Sequence, residues 1–425
     1  MNDGDALEAL LAPYKALGQT GPDSLHALRS LGAKGFADKG LPGRKDEAWK
    51  YTSLKGLTGS YAWKSEGERF PGTPPVDLLD QRIVFYNGHW DKTLSTLGPG
   101  YRFFPLKEER DFDPLTRQLQ GEDCFTDLAL TYCREAYRLE IEERGERPLG
   151  IYHFMDKNFE GTMAHPLLIV HAREKSKAHL FEFTSSTEDL GSALYNAHTL
   201  ITLGQGAHLD HVRIFKSRKG LMPFSKVLAQ IHKEARYGNA ALALGGSFLR
   251  NDLRVELLGE GAHVSLGGLY VHDTNEDSSH VSLIDHKAPK TSSRQLYKGL
   301  LNHHSHAFFQ GTIVVGKDQA DIESSQLNNN ILLSDTARVD SRPVLEIGHC
   351  DVKCTHGTTI GQMDGEQLFY LRSRGFDESK AKRFLARGFC EETLFPIENE
   401  SLHRLSADYL ERSILEKIGD GEEGP

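Results

Sequence analysis

The residues best suited to chemistry are Cys350, Cys354 and His356, which bring two thiols and an imidazole close together in the chain. Thiolate sulfur and imidazole nitrogen are the donors that zinc, iron and iron–sulfur sites use. If one extended strand carries all three, their even spacing places them on the same face. At about 3.3 Å per residue, Cys354 and His356 lie roughly 6.6 Å apart, whereas Cys350 and Cys354 lie roughly 13 Å apart. Only Cys354 and His356 are therefore close enough to bind the same ligand.

Two donors do not complete a metal site, since closed zinc sites are tetrahedral. A metal bound by Cys354 and His356 therefore needs donors from a neighbouring strand or from a second chain. The alternative is a buried structural cysteine beside a hydrogen-bonded histidine, and the spacing alone favours this alternative.

Further histidines cluster at His303-His304-Ser-His306 and over His280–His286, within a total of 20 histidines. This high number makes metal chemistry worth testing. For these two clusters, however, polar loops or a solvated sheet face are the favoured interpretation. Distant clusters can converge in a stacked fold, but the sequence does not show which of them do.

Several function classes find little support in the sequence. It contains no G-x-x-x-x-G-K-[ST] loop and no G-x-S-x-G elbow, and its Gly-Gln-Gly and Gly-Glu-Gly turns lack the third glycine of a dinucleotide fingerprint. The formal charge of -10 argues against a nucleic-acid binder, which is usually basic. A basic run at Arg372–Arg374 and Lys380–Arg383 is either a solvated helix face or a docking surface for an acidic partner.

The composition predicts a soluble cytoplasmic protein. Five cysteines in 425 residues, an odd number, do not form a disulfide framework. The start of the sequence has neither the basic nor the apolar segment of a secretory signal. No apolar run approaches the roughly 20 residues needed to cross a bilayer. We therefore expect reduced thiols and no membrane association.

The elements that position these residues include helices at both ends of the chain. Apolar residues at spacings of three and four predict helices in about the first sixty residues, near residues 123–141, over Asp364–Arg374 and over residues 402–418. Asp377 is predicted to cap a further helix that runs through Phe384 and Leu385.

The middle of the chain has the pattern of strands. Arg82–Trp90 predicts a strand that enters an Asn-Gly turn. From about residue 150, short segments alternate apolar and polar residues between glycine-rich turns. We predict three regions: a mostly helical N-terminal region over residues 1–147, a β core over residues 148–362 and a C-terminal helical region over residues 363–425.

An internal repeat suggests how the strands are arranged. Leu203-Gly-Gln-Gly-Ala-His208 recurs at Leu258-Gly-Glu-Gly-Ala-His263, with weaker echoes that begin at Val315 and Leu333. The offsets of 55, 57 and 18 residues are near multiples of about 18–19, a length that suits one rung of a parallel β-helix. This pattern favours a parallel β-helix over the alternative, a β-sandwich with unrelated glycine turns.

Four segments together resemble the SufB/SufD family of the SUF iron–sulfur cluster assembly machinery, and most closely its SufD branch. They are Arg-Lys-Asp-Glu-Ala-Trp-Lys-Tyr-Thr at residues 44–52, Gln-Leu-Tyr-Lys-Gly-Leu at 295–300, Asp-Val-Lys-Cys-Thr-His-Gly at 351–357 and Glu-Gln-Leu-Phe-Tyr-Leu-Arg-Ser-Arg-Gly at 366–375. The resemblance covers most of the chain. It implies a right-handed parallel β-helix between N- and C-terminal helical regions, and a scaffold rather than an enzyme.

The resemblance also implies partners and a site. SufB and SufD pair through their β-helices, and each carries the SufC ATPase on its C-terminal helical region. His356, with Cys354 beside it, is thereby expected at the SufB interface as a ligand of iron or of a nascent iron–sulfur cluster. SufC is expected to dock on the C-terminal helical region, and the candidate contacts are Arg372, Arg374, Gly375, Phe384, Leu385 and Phe389.

One absence distinguishes the two branches. Ala337 stands where SufB has a cysteine, the sulfur acceptor, nine residues before the glutamate of Pro343-Val-Leu-Glu346. The chain therefore resembles the partner that completes the site. The resemblance implies no cofactor held stably by the isolated chain, and it allows a flavin in the complex and a homodimer when SufB is absent.

Two other functions stay open at this point. A cytosolic β-helix enzyme that acts on carbohydrate predicts a groove lined with carboxylates and aromatic rings, and activity in the isolated chain. A standalone metal-binding protein predicts a full ligand set within one chain.

Overall fold

A computed structural model of the chain describes residues 3–16, 23–43, 45–57, 61–63, 70–71, 74–106, 119, 121–142, 145 and 147–418. The architecture is a parallel β-solenoid of about 8 turns, with helices at both termini. The prediction of a mainly β, parallel β-helix fold with flanking helices is confirmed. The division into the ranges 1–147, 148–362 and 363–425 stays a prediction.

From Leu167 onward, successive strands alternate between two sheets, so that each turn contributes one strand to each sheet. The first sheet runs from β4 (Tyr101–Pro105) through β5 (Ala136–Ile141), β8 (Leu167–Ala172), β10 (Ala193–Leu203), β12 (Leu221–Ile231), β14 (Phe248–Leu257), β16 (Asp277–His286) and β18 (His306–Val315) to β20 (Arg338–Ile347). β1 (Ala62–Trp63) pairs with β7 (Thr162–Ala164), which pairs with β10.

The second sheet faces the first across the interior. It runs from the hairpin of β3 (His89–Trp90) and β2 (Arg82–Tyr86) through β6 (Leu149–Met155), β9 (Lys177–Ser186), β11 (His208–Lys216), β13 (Arg236–Gly245), β15 (His263–His272), β17 (Ser292–Leu301) and β19 (Ile322–Leu332) to β21 (Val352–Gly361). The predicted Asn-Gly turn joins β2 to β3, and both Asn87 and Gly88 have positive φ there, as such a tight turn requires.

The predicted rung of 18–19 residues is wrong. His208 pairs with Arg236, and Arg236 pairs with His263, so the repeat from Leu203 to Leu258 spans two full turns. Like Leu203 and Leu258, Val315 lies at or directly after the end of a strand of the first sheet, and it follows Leu258 by two turns. Leu333 follows a strand of the second sheet, so its offset of 18 residues does not measure a full turn.

The glycines of the repeat have a backbone reason. Gly206 and Gly261 turn the same corner of the solenoid with φ of 67 and 74, and Glu234 occupies that corner in the intervening turn with φ of 56. A left-handed backbone is therefore required at this corner in every one of these turns, and glycine adopts it without strain.

The segment near residues 123–141 is only partly helical, contrary to the prediction. α3 (Cys124–Thr131) is a buried helix capped by Asp123, whereas Ala136–Ile141 forms β5. Tyr137, Leu139 and Ile141 alternate with more polar residues, and this period of two favours a strand because it places all three side chains in the core between the sheets.

N-terminal helices cover the outer face of the first sheet. α1 (Asp3–Ala16) and α2 (Asp23–Lys39) confirm the helices predicted there. Leu17, the last of the regularly spaced apolar residues that predict the first helix, lies outside the described residues. The two helices pack with Trp49, Phe125 and Phe224 into one apolar cluster. The ring of Trp49 lies 5.1 Å from that of Phe125, and the guanidinium of Arg250 lies 4.1 Å above it.

An ion cluster around the buried Lys226 also fastens this layer to the first sheet. The Lys226 ammonium on β12 donates hydrogen bonds to Glu122 at 2.8 Å and to Asp123 at 3.0 Å. Burial alone raises the pKa of Asp123, but the charge of Lys226, the hydrogen bond from the Thr126 N–H and the other favourable interactions together outweigh burial and hold that pKa well below its usual range.

C-terminal helices cover the outer face of the second sheet. They are α5 (Glu378–Glu391) and α6 (Glu400–Ile418), whereas α4 (Gly365–Ser373) packs on α5 and buries none of its residues. The predicted cap is present, since Asp377 accepts a hydrogen bond from the N–H of Lys380, and Asp364 caps α4 in the same way. The backbone of this layer approaches the sheet closely: a Cβ added at Gly267 would lie 1.8 Å from the carbonyl oxygen of Thr393. Within the described part of the chain, no helix has the length and apolar character needed to cross a membrane.

Candidate functional site at the open end of the solenoid

The solenoid ends at two terminal strands, β20 in the first sheet and β21 in the second, which we call the open end. A hydrogen bond from Thr358 to Ser341, 3.0 Å long, links the two strands. Three large apolar side chains are exposed on or beside these strands: Leu327 at 46%, Ile347 at 38% and Ile360 at 49%. Terminal strands with exposed apolar side chains are suited to pairing with another chain.

Cys354 and His356 lie on β21 at the open end, as the strand pattern predicts. Cys354 pairs in register with Ser324 and His356 with Gln326. Cys354 is half-buried against a small apolar cluster that includes Ile322, and burial raises the pKa of its thiol. The His356 side chain is exposed. The thiol is thereby held in place while the imidazole is available to a ligand.

Cys350 does not belong to this strand, so placing it on the same face as Cys354 and His356 was wrong. The residue is exposed and precedes β21, which begins only at Val352. The local turn explains the difference, because the backbone N–H of Asp351 donates to the ring nitrogen Nδ1 of His349 at 3.0 Å.

The interior beneath His356 is polar. Gln326 is fully buried and donates from Nε2 to the carbonyl oxygen of Gly311 at 3.1 Å. In the preceding turn, Gln295 donates from Nε2 to Ser282 Oγ at 2.8 Å. Gly311 leaves room for both amides, because a Cβ there would lie 2.5 Å from Nε2 of Gln326. The imidazole of His356 therefore sits above amide groups and not above an apolar core.

The other histidine clusters have local partners of their own. His303 pairs with Asp273, and His306 bridges Asp277 at 3.2 Å and Asp340 at 3.0 Å. His280 is buried, and burial holds its pKa well below the usual range. Among the residues that the structure describes, no three His, Cys, Asp or Glu side chains are grouped as a metal ion would require.

A second exposed apolar surface lies on α4 and α5, which we call the helical hairpin. Phe369 is 74% exposed and Phe384 is 59% exposed, and Tyr370 and Phe376 are exposed as well. A shallow groove of about 810 Å³ is lined by Phe369, Tyr370 and Leu385, among others. Large exposed aromatic side chains gathered on one surface are typical of protein–protein interfaces.

Five of the six predicted docking residues lie on the helical hairpin away from the solenoid, and the sixth, Phe389, faces it. Arg372 pairs with Glu378 at 3.6 Å, and Gly375 makes the turn between α4 and α5 with φ of 93. Arg374, Phe384 and Leu385 also lie on the helical hairpin, where Arg374 lies 5.1 Å from the Tyr370 ring.

Phe389 differs from the other predicted docking residues because it faces the solenoid. It is half-buried, and the ammonium of Lys298 on β17 lies 4.3 Å above its ring. Sequence reasoning missed Phe369, Tyr370 and Phe376. The available signal was that the apolar residues of Asp364–Arg374 do not form a single stripe, so some of them must face solvent.

Comparison with known proteins identifies relatives of this chain. The sequence model of the SufBD core domain, described as SUF system FeS cluster assembly, matches residues 154–389. The chain is similar to the iron–sulfur cluster assembly protein SufD of Escherichia coli, with 29% identity over 89% of each chain. It is 31% identical to an iron–sulfur cluster assembly SufBD family protein of Mycobacterium tuberculosis over 84% of this chain and 85% of the relative. A SufBD family protein of Synechocystis is 25% identical over 85% of each chain.

Proposed function

Because this chain belongs to the SufBD family of SUF iron–sulfur cluster assembly proteins and is of the SufD type, we propose that it is a scaffold subunit on which iron–sulfur clusters are assembled. It carries no catalytic residue of its own in this role. It pairs with a SufB-type protein at the open end and with a SufC-type ATPase at the helical hairpin.

One observation carries the proposal: an exposed imidazole, His356, lies on the terminal strand of the second sheet, beside exposed apolar side chains. A partner solenoid that docks here pairs with the terminal strands and covers Leu327 and Ile360. The imidazole is then enclosed at the junction of two chains. In the absence of a SufB-type protein, a second copy of this chain docks at the same end.

The chemistry at this junction is ligation. A neutral imidazole nitrogen of His356 is a good donor to iron. Cys354 lies two residues away on the same face of β21 and adds a thiolate when it is deprotonated. Burial opposes that deprotonation because it raises the pKa of the thiol. His356 is therefore the main ligand from this chain, and iron and the nascent cluster are the cargo of the site.

The sulfur acceptor belongs to the partner. Ala337 occupies the position at which the SufB branch has its acceptor cysteine, and it lies buried just before β20. This chain therefore supplies an iron ligand and a docking surface. A flavin in the assembled complex stays a prediction to which no residue is assigned.

The helical hairpin is the docking surface for the ATPase. Its aromatic side chains offer apolar contact area, and the basic run Lys380–Arg383 offers charges for an acidic partner groove. Nucleotide-driven motion of the ATPase is transmitted to the solenoid through α5 and α6, which pack on the second sheet. The mechanical link and the ligand site thus lie on the same sheet.

The test is co-purification of the tagged chain with co-expressed SufB-type and SufC-type proteins. Phe384→Glu places a charge in the helical hairpin and is expected to weaken ATPase binding by roughly 30-fold or more, the equivalent of an interface residue worth about 2 kcal/mol. Ile360→Glu is expected to remove the SufB-type protein and to leave the ATPase bound.

Phe104→Glu is the matched control. Phe104 is a 36% exposed phenylalanine on β4, at the opposite end of the first sheet. This variant is expected to retain both partners. Retention of both partners by Phe384→Glu and Ile360→Glu as well contradicts the proposed docking surfaces.

A further inference from the structure

A further concave site lies away from the helical hairpin and reaches the open end only at Arg338 and Asp340, near the start of β20. A cavity of about 980 Å³ opens between the N-terminal segment, here residues 41–43 and 45–57, and the starts of β16, β18 and β20. Ligand-binding pockets typically measure about 300–1,000 Å³. The cavity is therefore large enough to hold a small-molecule ligand.

The wall formed by the N-terminal segment is held in place independently of any ligand. Thr52 shares a hydrogen bond of 2.8 Å with Ser279 on β16. Arg250 donates to the carbonyl oxygen of Ala48 at 2.8 Å and to Thr52 Oγ1 at 2.9 Å. With Trp49 buried beneath Arg250, the backbone that lines the cavity is fixed on both sides of Lys50 and Tyr51. The cavity is thus preformed.

The cavity gathers positive charge on a chain whose formal charge is -10. Lys50, Lys55 and Arg338 line it together with the carboxylates of Asp277 and Asp340, so the lining has a net charge of +1 (3 − 2) with its histidines neutral. Arg338 is oriented by Asp340 at 3.0 Å. Lys50 and Lys55 are exposed and form no ion pair with a carboxylate among the described residues. The Lys50 ammonium lies 5.2 Å from the centre of the Tyr51 ring. Two ammonium groups that have no carboxylate partner among the described residues favour an anionic ligand such as a phosphate.

The remaining lining groups suit the rest of a larger ligand. The ring of Tyr51 is supported on one side by Phe308, with centroids 5.1 Å apart, and it lines the cavity. A planar ring system can stack on such a supported aromatic ring. Asp277 also lines the cavity, and its buried Oδ1 has no hydrogen-bond donor among the described residues. This oxygen is ready to accept a hydrogen bond from a hydroxyl or amino group.

We propose that this cavity binds a nucleotide, with its phosphates at Lys50, Lys55 and Arg338, its ring beside Tyr51 and a hydroxyl or amino group donating to Asp277. Recognition through side chains agrees with the absence of a glycine-rich phosphate loop from the sequence. The proposal does not depend on the assembly role, because the cavity uses neither His356 nor the helical hairpin and shares only Arg338 and Asp340 of β20 with the open end.

The test is equilibrium dialysis of the full chain with three probes: ADP, FMN and inorganic pyrophosphate. ADP and FMN both carry phosphate and a planar ring system, but the ring systems differ. The nucleotide that binds with the lower dissociation constant therefore shows which ring system the cavity prefers. We expect saturable binding of one nucleotide per chain. Tyr51→Leu is expected to weaken the tighter nucleotide by at least fivefold and to leave pyrophosphate binding unchanged, an effect of the size of one aromatic stacking contact, roughly 1–3 kcal/mol.

The charge contribution is tested with a matched pair of variants. Lys50→Glu/Lys55→Glu is expected to weaken nucleotide binding more than tenfold. Lys219→Glu/Lys317→Glu makes the same charge change at exposed lysines outside the cavity and is expected to change binding less than twofold. If the glutamate variants in the cavity fail to fold, Lys50→Gln/Lys55→Gln is measured in their place.

Three results overturn the proposal. The first is no saturable binding of either nucleotide. The second is equal weakening by both lysine pairs, which indicates nonspecific attraction to charge. The third is a nucleotide affinity that does not exceed the affinity for pyrophosphate and is unaffected by Tyr51→Leu, which indicates a simple anion site.

Discussion

Asp210 joins the C-terminal helices to the solenoid. Its carboxylate on β11 is fully buried and accepts hydrogen bonds from His179 Nδ1 at 2.9 Å, from His208 Nε2 at 3.1 Å and from the backbone N–H of Asn399 at 3.1 Å. Asn399 directly precedes α6, so the carboxylate also faces the positive end of that helix. Burial alone raises the pKa of Asp210, but the hydrogen bonds from the two histidines outweigh it and hold the pKa well below its usual range.

We predict that Asp210→Ala loosens α5 and α6 before it unfolds the solenoid. A hydrogen bond to a charged group contributes roughly 1.5–3 kcal/mol, and removal of one partner from a buried charged cluster costs about 3–5 kcal/mol. A loss of about 3 kcal/mol corresponds to roughly hundredfold faster amide exchange in the segment that opens. Hydrogen–deuterium exchange with peptide resolution measures this effect, with peptides of α5 and α6 compared with peptides of β18.

Asp318→Ala provides the control for this prediction. Asp318 is exposed in a corner of the solenoid, and its replacement is expected to change stability by no more than about 0.5 kcal/mol. The reasoning is refuted if Asp210→Ala accelerates exchange in α5 and α6 by less than about threefold, or if it accelerates β18 equally.

Three further predictions concern stability and are measured by urea unfolding. Trp49→Ala removes a buried ring from the cluster beneath the N-terminal segment and is expected to cost about 3–5 kcal/mol. Lys226→Met removes the buried cation that the half-buried carboxylates of Glu122 and Asp123 share, and it is expected to cost about 2–3 kcal/mol, more than replacement of an exposed lysine. Burial alone lowers the pKa of His306, but its two aspartate partners outweigh burial and raise that pKa. The stability that His306 contributes is therefore fully present below the unfolded-state pKa of about 6.5 and is lost as pH rises through the higher folded-state pKa. His306→Asn is expected to remove this loss, and an unchanged pH profile contradicts the assignment.

The sequence predicted the fold class well because the solenoid depends on local signals. Alternation of apolar and polar residues specifies strands, and the left-handed corner selects glycine at Gly206 and Gly261. The rung length could not be predicted reliably, because Leu333 follows a strand of the other sheet and only the strand register distinguishes the two corners. The strand at Ala136–Ile141 was missed because the helical pattern of α3 precedes it closely.

The candidate site was predicted in part. Cys354 and His356 lie on one strand as their spacing indicates, since the side-chain period of a strand is local. The buried Gln326 beneath His356 was not predictable, because register between turns brings together residues about thirty positions apart. The exposure of Phe369 was also missed, since it depends on which face of α4 lacks a neighbour.

The central claim is that His356 supplies a ligand for cluster assembly at the junction with a SufB-type partner. The most direct measurement is the iron and acid-labile sulfide content of the complex, reconstituted with SufB-type and SufC-type proteins, for the natural chain and for His356→Ala. His232→Ala replaces another exposed histidine, at a corner remote from the open end, and serves as the control. The account predicts that the His356→Ala complex assembles with unchanged stoichiometry but loses its iron and sulfide, whereas the His232→Ala complex retains both. Full iron and sulfide content in the His356→Ala complex would contradict the account.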